Sequence, residues 1–179
     1  MASILRAALL HTDRAGTKEA MIDKHQEGAP DAAEGAQVMW FQELCDRPYF
    51  CRIQDAAHDD DTEQIPDGPR TQRFQSVAQE LGMVLVLPND ETLQARECYD
   101  TAMVMDADCT YVGKLRKQHP QVKGCWETFY FRTVHGGYPV FDTAAGKVGV
   151  DTCYDRRLAQ GCASSRARRP DASGELVEA

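Results

Sequence analysis

Three residues in this sequence stand where reactive groups are prepared. Cys153 closes the apolar run Val148-Gly149-Val150-Asp151-Thr152 and is followed by Tyr154-Asp155-Arg156. Glu43 closes a second run, Val38-Met39-Trp40-Phe41-Gln42, and Lys117 ends the short extended segment Gly113-Lys114-Leu115-Arg116. A thiol nucleophile, a carboxylate to take its proton and a cation to hold an oxyanion are the parts acyl transfer requires. A strand–turn–helix elbow at Cys153 raises the thiol into a cleft, where following backbone N–H groups, that of Tyr154 first, can face a substrate. A free cysteine is mostly thiol at neutral pH, so it needs a base or a cation beside it. Glu43, at the carboxyl end of a core strand, lies where α/β sheets put their sites, and partial desolvation suits it to accept a proton. Each residue has a plainer alternative: a buried cysteine acting as a small hydrophobe, a solvated strand-exit Glu, or a surface lysine among Lys114, Arg116 and Lys123.

The elements that must position these groups alternate between strands and helices. Residues 4–11 read as a strand and 17–34 as a helix whose second half Gly28 and Pro30 interrupt. Residues 38–42 form a buried strand, and an acidic loop follows through residue 64. Ile65-Pro66-Asp67-Gly68-Pro69 turns into a helix with Phe74, Val77, Ala78 and Leu81 on one face, stopped by Gly82. Residues 83–87 are another buried strand. Two hairpins complete the pattern, 101–105 with 111–114 over Asp106-Ala107-Asp108-Cys109, and 138–142 with 147–152 over Ala144-Ala145-Gly146. Such mixing predicts a layered α/β architecture.

A chain of 179 residues suffices for one domain with a core. Its net charge of −8 argues against a nucleic-acid partner, and its one basic cluster, 166–169, lies beside Ser, Ala and Pro. Seven cysteines without a Cys-x-x-Cys pair predict reduced thiols in a cytoplasmic protein. The N-terminal apolar run, residues 7–10, is too short for a membrane span, so no membrane partner is expected. His58-Asp59-Asp60-Asp61 reads as a solvated acidic loop, because consecutive residues rarely converge on one ion.

Phe41-Gln42-Glu43-Leu44, Arg116-Lys117 with His119, and Cys153-Tyr154-Asp155-Arg156, in that order, resemble the nitrilase (carbon–nitrogen hydrolase) superfamily. Gly124-Cys125-Trp126-Glu127-Thr128-Phe129-Tyr130-Phe131-Arg132, then Gly137-Tyr138-Pro139-Val140-Phe141, resemble its branch that hydrolyses N-carbamoyl amides, the β-ureidopropionases and N-carbamoyl amino acid amidohydrolases. The resemblance covers residues 6–161. It implies a partial four-layer α-β-β-α sandwich, residues 1–162 forming the N-terminal portion, with the second half missing; residues 163–179, which lack apolar periodicity, read as a disordered tail. It implies Cys153 as nucleophile, Glu43 as base, Lys117 as oxyanion holder and Glu127 as a second carboxylate positioning the lysine and the leaving group; a helix-surface Glu is the alternative for Glu127. His119, Tyr154, Arg156 and Arg157 are the implied substrate contacts, the arginines holding a substrate carboxylate, a task suited to bidentate donors. The alternative for the arginines is pairing with Asp155 or exposure to water. No cofactor and no metal are implied, the substrate is a small N-carbamoyl compound or amide, and full-length relatives are expected to be homo-oligomers. An aliphatic amidase or nitrilase of the same superfamily is the second enzyme reading. A third reading is a truncated, non-catalytic relic or assembly-dependent fragment, since half a sandwich leaves sheet faces uncovered.

Several positions depart from the family pattern. Asp100 stands for the usual Asn, Cys109 for a turn Gly, Asp151 for an apolar residue, and Leu158-Ala159-Gln160 for an aromatic-Pro-Glu continuation. The loop after Lys117 is one residue short. These predict a strained turn at Cys109, a costly charge at Asp151 and a displaced lysine.

Overall fold

A computed structural model describes residues 4–55, 57–58, 62–158, 163 and 170–176. Strands β1 (Ala7–Leu10), β2 (Val38–Phe41), β3 (Val84–Gln94), β4 (Glu97–Met105) and β5 (Tyr111–Arg116) form one sheet in that order. The β1–β2 and β2–β3 pairs are parallel, as the helical crossovers between them require, and the β3–β4 and β4–β5 hairpins are antiparallel. A second sheet holds β6 (Val140–Thr143), β7 (Gly146–Thr152) and β8 (Ala172–Leu176).

Side-chain alternation divides the core into two seams. On one face of the first sheet, Met39, Phe41, Leu85, Met103 and Met105 pack against helices α1 (Lys18–Ala32) and α2 (Pro69–Leu81) through Ile22, Ala29, Phe74 and Ala78. On the other face, Val38, Trp40, Val84, Val86, Ala102 and Val104 meet Phe141, Val148 and Val150 of the second sheet and Tyr138 just before it. Helices, sheet and sheet thus make α-β-β layers. The sheets approach closely at Gly113, where a Cβ would sit 2.8 Å from the Phe141 ring.

The expected interruption of the first helix does not occur. Thr17 caps α1 by accepting the Ala20 N–H at 3.2 Å, and the helix runs unbroken past Gly28 and Pro30. Pro30 lies in the last turn, where its missing N–H removes one bond while Met21, Ile22, His25 and Ala29 keep the inner face buried. α2 follows the expected pattern, with Pro69 in its first turn and Gly82 closing it at φ 57°.

β3 is longer than its apolar signal. The strand expected to end at residue 87 continues through Asn89, Asp90 and Glu91, all buried. Each finds partners distant in sequence: Asn89 donates to Glu63 at 2.8 Å, Asp90 meets Arg47 at 2.6 Å, and Glu91 meets Lys114 and Arg116 at 2.5 and 2.6 Å. Paired this way, polar groups tolerate burial that would otherwise be costly. A second correction concerns the tail, expected to be disordered from residue 163. Ala172–Leu176 pairs parallel with β7, Val148 opposite Ala172 through Thr152 opposite Leu176. Residues 164–169, with the basic cluster, and 59–61 of the acidic loop lie outside the described residues.

The β4–β5 turn shows the strain its sequence predicts: Cys109 adopts φ 65°. A left-handed conformation costs an L-residue about 1–2 kcal/mol, part of which glycine offsets with its larger unfolded-state entropy. Cys109→Gly is therefore expected to stabilise the fold by about 1 kcal/mol, read as a higher urea midpoint at unchanged slope.

Candidate active site

Three strand ends and one short helix bring the expected groups together. Glu43 lies just past β2 and is followed by Leu44 at φ 51°, which turns the chain sharply away. Lys117 follows β5, and its backbone N–H bonds to the Asp100 carbonyl at 2.8 Å, extending the ladder by one residue. That bond fixes the lysine, so the displacement expected from the short loop does not arise. Cys153 follows β7 at φ 42° and opens a 3-10 turn, Cys153–Arg157. A strained backbone at a strand-to-helix elbow is what exposes a nucleophile. Glu127 begins α3 (Glu127–Tyr130) and is buried, which removes the helix-surface alternative.

The lysine ammonium sits at the centre. Its Nζ is 2.7 Å from Glu43 Oε1, 2.7 Å from Glu127 Oε2 and 3.2 Å from Asp100 Oδ2, one carboxylate for each of its three protons. Lys117, Glu43, Glu127 and Asp100 are each no more than 2 % exposed. Ligand atoms of Glu43, Glu127 and Cys153 lie within 4.8 Å of one another, a spacing open to a metal ion, but the ammonium supplies the cation there.

Burial decides the electrostatics. It raises the pKa of Glu43 well above the ordinary carboxylate range, the Asp100 carboxylate adds to the rise, and Lys117 only partly offsets it. Burial also raises the Cys153 thiol, with the Glu43 carboxylate second and Lys117 opposing. Burial disfavours the charge on Lys117, yet the carboxylates of Asp100, Glu43 and Glu127 outweigh it and hold its pKa above that of a free lysine. The resting pair is thus thiol and ammonium. Glu127 is anchored by Tyr49 Oη–H at 2.5 Å and the Gln121 N–H at 2.6 Å, contacts that hold its carboxylate against the lysine.

The expected substrate contacts divide. Arg156 and Arg157 line a cavity of about 650 Å³ with Cys153, Tyr49, Arg52 and Gln121. Tyr154 lies under the Arg157 guanidinium, 6.0 Å from its ring centre. His119 instead turns to Asp155, its Nδ1 at 2.8 Å from Oδ1, with Tyr138 Oη at 3.3 Å. Asp155, fully buried, also accepts the Gln118 and His119 backbone N–H groups, each at 2.9 Å. This clamp ties the turn after Cys153 to the loop after Lys117. Asp155→Ala leaves these donors unpaired, the Gln118 N–H in a buried place, so a loss of about 1–3 kcal/mol is expected in urea unfolding. Asp151 shows the cost its sequence position predicts: it is half-buried, its Oδ1 has no partner, and burial, then Asp155, raises its pKa.

Residues 6–169 match the carbon-nitrogen hydrolase family. The chain belongs to that family. Among curated carbon–nitrogen hydrolases, an N-carbamoylputrescine amidase of Solanum lycopersicum is 32 % identical over 81 % of this chain and 48 % of its own length. A citrullinase of Francisella tularensis is 32 % identical over 70 % of this chain and 44 % of its own. The chain thus spans about half the length of the curated relatives it matches. In fold it is similar to the carbon-nitrogen hydrolase of Helicobacter pylori G27, with a TM-score of 0.85 at 22 % identity over 97 % of this chain and 59 % of that one. The nitrilase-like layering expected from the sequence is present. No helix among the described residues is long and apolar enough to cross a membrane.

Proposed function

We propose that this chain hydrolyses an N-carbamoyl compound through a thioester on Cys153. The observation that carries the reading is Lys117 bound at 2.7 Å by both Glu43 and Glu127, with Cys153 beside them. Glu43 in its carboxylate form takes the Sγ proton, and the thiolate attacks the carbonyl carbon. Lys117, with the Tyr154 backbone N–H, holds the oxyanion that forms. The proton on Glu43 passes to the departing nitrogen, which leaves as ammonia or an amine. Glu43 then deprotonates the water that cleaves the thioester.

Relatives named for N-carbamoylputrescine and citrulline support a carbamoyl carbonyl as the reacting group. The guanidinium groups of Arg52, Arg156 and Arg157 around the Cys153 cavity favour an anionic tail, such as the carboxylate of a β-ureido or N-carbamoyl amino acid, over a cationic amine. Six free cysteines among the described residues suit a reducing cytoplasm, and homo-oligomeric assembly follows the family resemblance. The test assays a β-ureido acid, an N-carbamoyl-D-amino acid, N-carbamoylputrescine and a simple aliphatic amide side by side. Release of carbon dioxide with ammonia from an acidic ureido substrate is expected. Turnover of the simple amide alone overturns the carbamoyl reading, and turnover of none of the four overturns the hydrolase reading for this chain.

A further inference from the structure

The site holds one more carboxylate than the reaction uses. Asp100, on β4, is 2 % exposed and lies opposite Asp90 in the β3–β4 ladder. Its Oδ2 lies 3.2 Å from the ammonium of Lys117, which Glu43 Oε1 holds at 2.7 Å, so the two carboxylates crowd one donor atom. Glu43 Oε2 and Asp100 Oδ1 are both buried without a donor. Two carboxylate oxygens can share a hydrogen bond only if one carries a proton.

The surrounding charges point the same way. Around Glu43 stand Lys117 beyond β5, Glu127 on α3, Asp100 on β4 and Cys153 beyond β7. Behind Glu127 is Tyr49, and behind Asp100 the Asp90 carboxylate, whose neighbouring cation Arg47 is already bound to Asp46 and Asp90. Fully ionised, three carboxylates around one ammonium leave two net negative charges in a buried space. One retained proton halves that. Glu127 is a poor host for it, since its oxygens already receive the Tyr49, Gln121 and Lys117 donors.

We propose that Asp100 is a positioning residue that keeps a proton on Glu43 at neutral pH, so that the base is released only on the alkaline side. The inference rests on the Glu43–Cys153 reading above. Protonated Glu43 cannot accept the thiol proton; once it ionises, the Sγ proton moves to it and leaves the thiolate. An asparagine in place of Asp100 keeps the shape and an acceptor for Lys117 but removes the charge. With that substitution and Glu43 ionised, the cluster carries the same net charge as the resting wild type.

The test reads protonation directly. Infrared spectra of the 179-residue chain, grown with carbon-13 glutamate, are titrated for wild type, Asp100→Asn and Glu43→Gln. Wild type is expected to show a label-shifted protonated-carboxyl band at neutral pH that Glu43→Gln lacks. In Asp100→Asn its midpoint is expected to fall by about one pH unit or more. Absence of the band from wild type at neutral pH, its persistence in Glu43→Gln, or an unchanged midpoint in Asp100→Asn overturns the inference. Wild type and Glu43→Gln suffice to decide against it if Asp100→Asn does not fold. A chain with the expected band and shift but no turnover defeats the hydrolase reading alone. Where turnover is seen, the acid limb of kcat/KM is expected to move to lower pH in Asp100→Asn, and an unmoved limb counts against the role.

Discussion

Replacing Cys153 with alanine is expected to lower turnover of an N-carbamoyl substrate by about 10⁴-fold or more, with the thermal midpoint nearly unchanged. Removing a nucleophile takes away the covalent route itself, leaving only binding and the oxyanion contacts. The fold should tolerate the change, because Cys153 is half-buried and belongs to neither seam between the layers. Alanine also accepts the φ of 42° no worse than cysteine, both being unbranched L-residues. Ammonia release gives the rate, and mass spectrometry after a haloacetamide gives the site: an adduct on residue 153 in wild type, none there in the variant. Turnover retained by Cys153→Ala would refute the thioester route.

The layers were legible where burial is local. The unbroken run Val38-Met39-Trp40-Phe41 announces a strand covered on both faces, and it is: alternate residues serve the helices and the second sheet. The i, i+3, i+4 spacing of Phe74, Val77 and Ala78 announces α2 in the same way. Legibility fails where partners lie far along the chain. Asn89, Asp90 and Glu91 look like a loop until Glu63, Arg47 and Arg116 arrive from other elements to satisfy them. The pairing of Ala172–Leu176 with β7 likewise follows from a parallel register that carries no local signal.

The site was read from ordered motifs, and its centre was found because Glu43, Lys117 and Cys153 each end an apolar or extended segment. Tyr49 was missed: it sits in a polar loop, and its contact with Glu127 spans 78 residues. The bond of His119 to Asp155 was not legible, because the two lie 36 residues apart and the motif shows the histidine but not its partner. Asp100 did carry a signal, as a charge where the family has an amide. Its consequence needed the distance to Lys117, which only the fold supplies.

Lys117→Met should be the most destabilising single change in the site, at about 3–5 kcal/mol. Methionine keeps the unbranched stem but removes the charge, leaving Glu43, Glu127 and Asp100 buried around an apolar tip. The folded variant escapes part of the cost by binding protons. Its carboxyl pKa values then lie above the unfolded value of about 4.3 for glutamate, the sense in which Glu43 is already displaced in wild type. A carboxyl raised on folding binds more protons in the native state, so its stabilising effect is full below the unfolded pKa and is lost as pH rises through the folded one. The gap between wild type and Lys117→Met should therefore be small in mild acid and widen toward neutral and alkaline pH. Urea unfolding across that range measures it. A variant as stable as wild type at alkaline pH would mean that the ammonium does not hold these three carboxylates together.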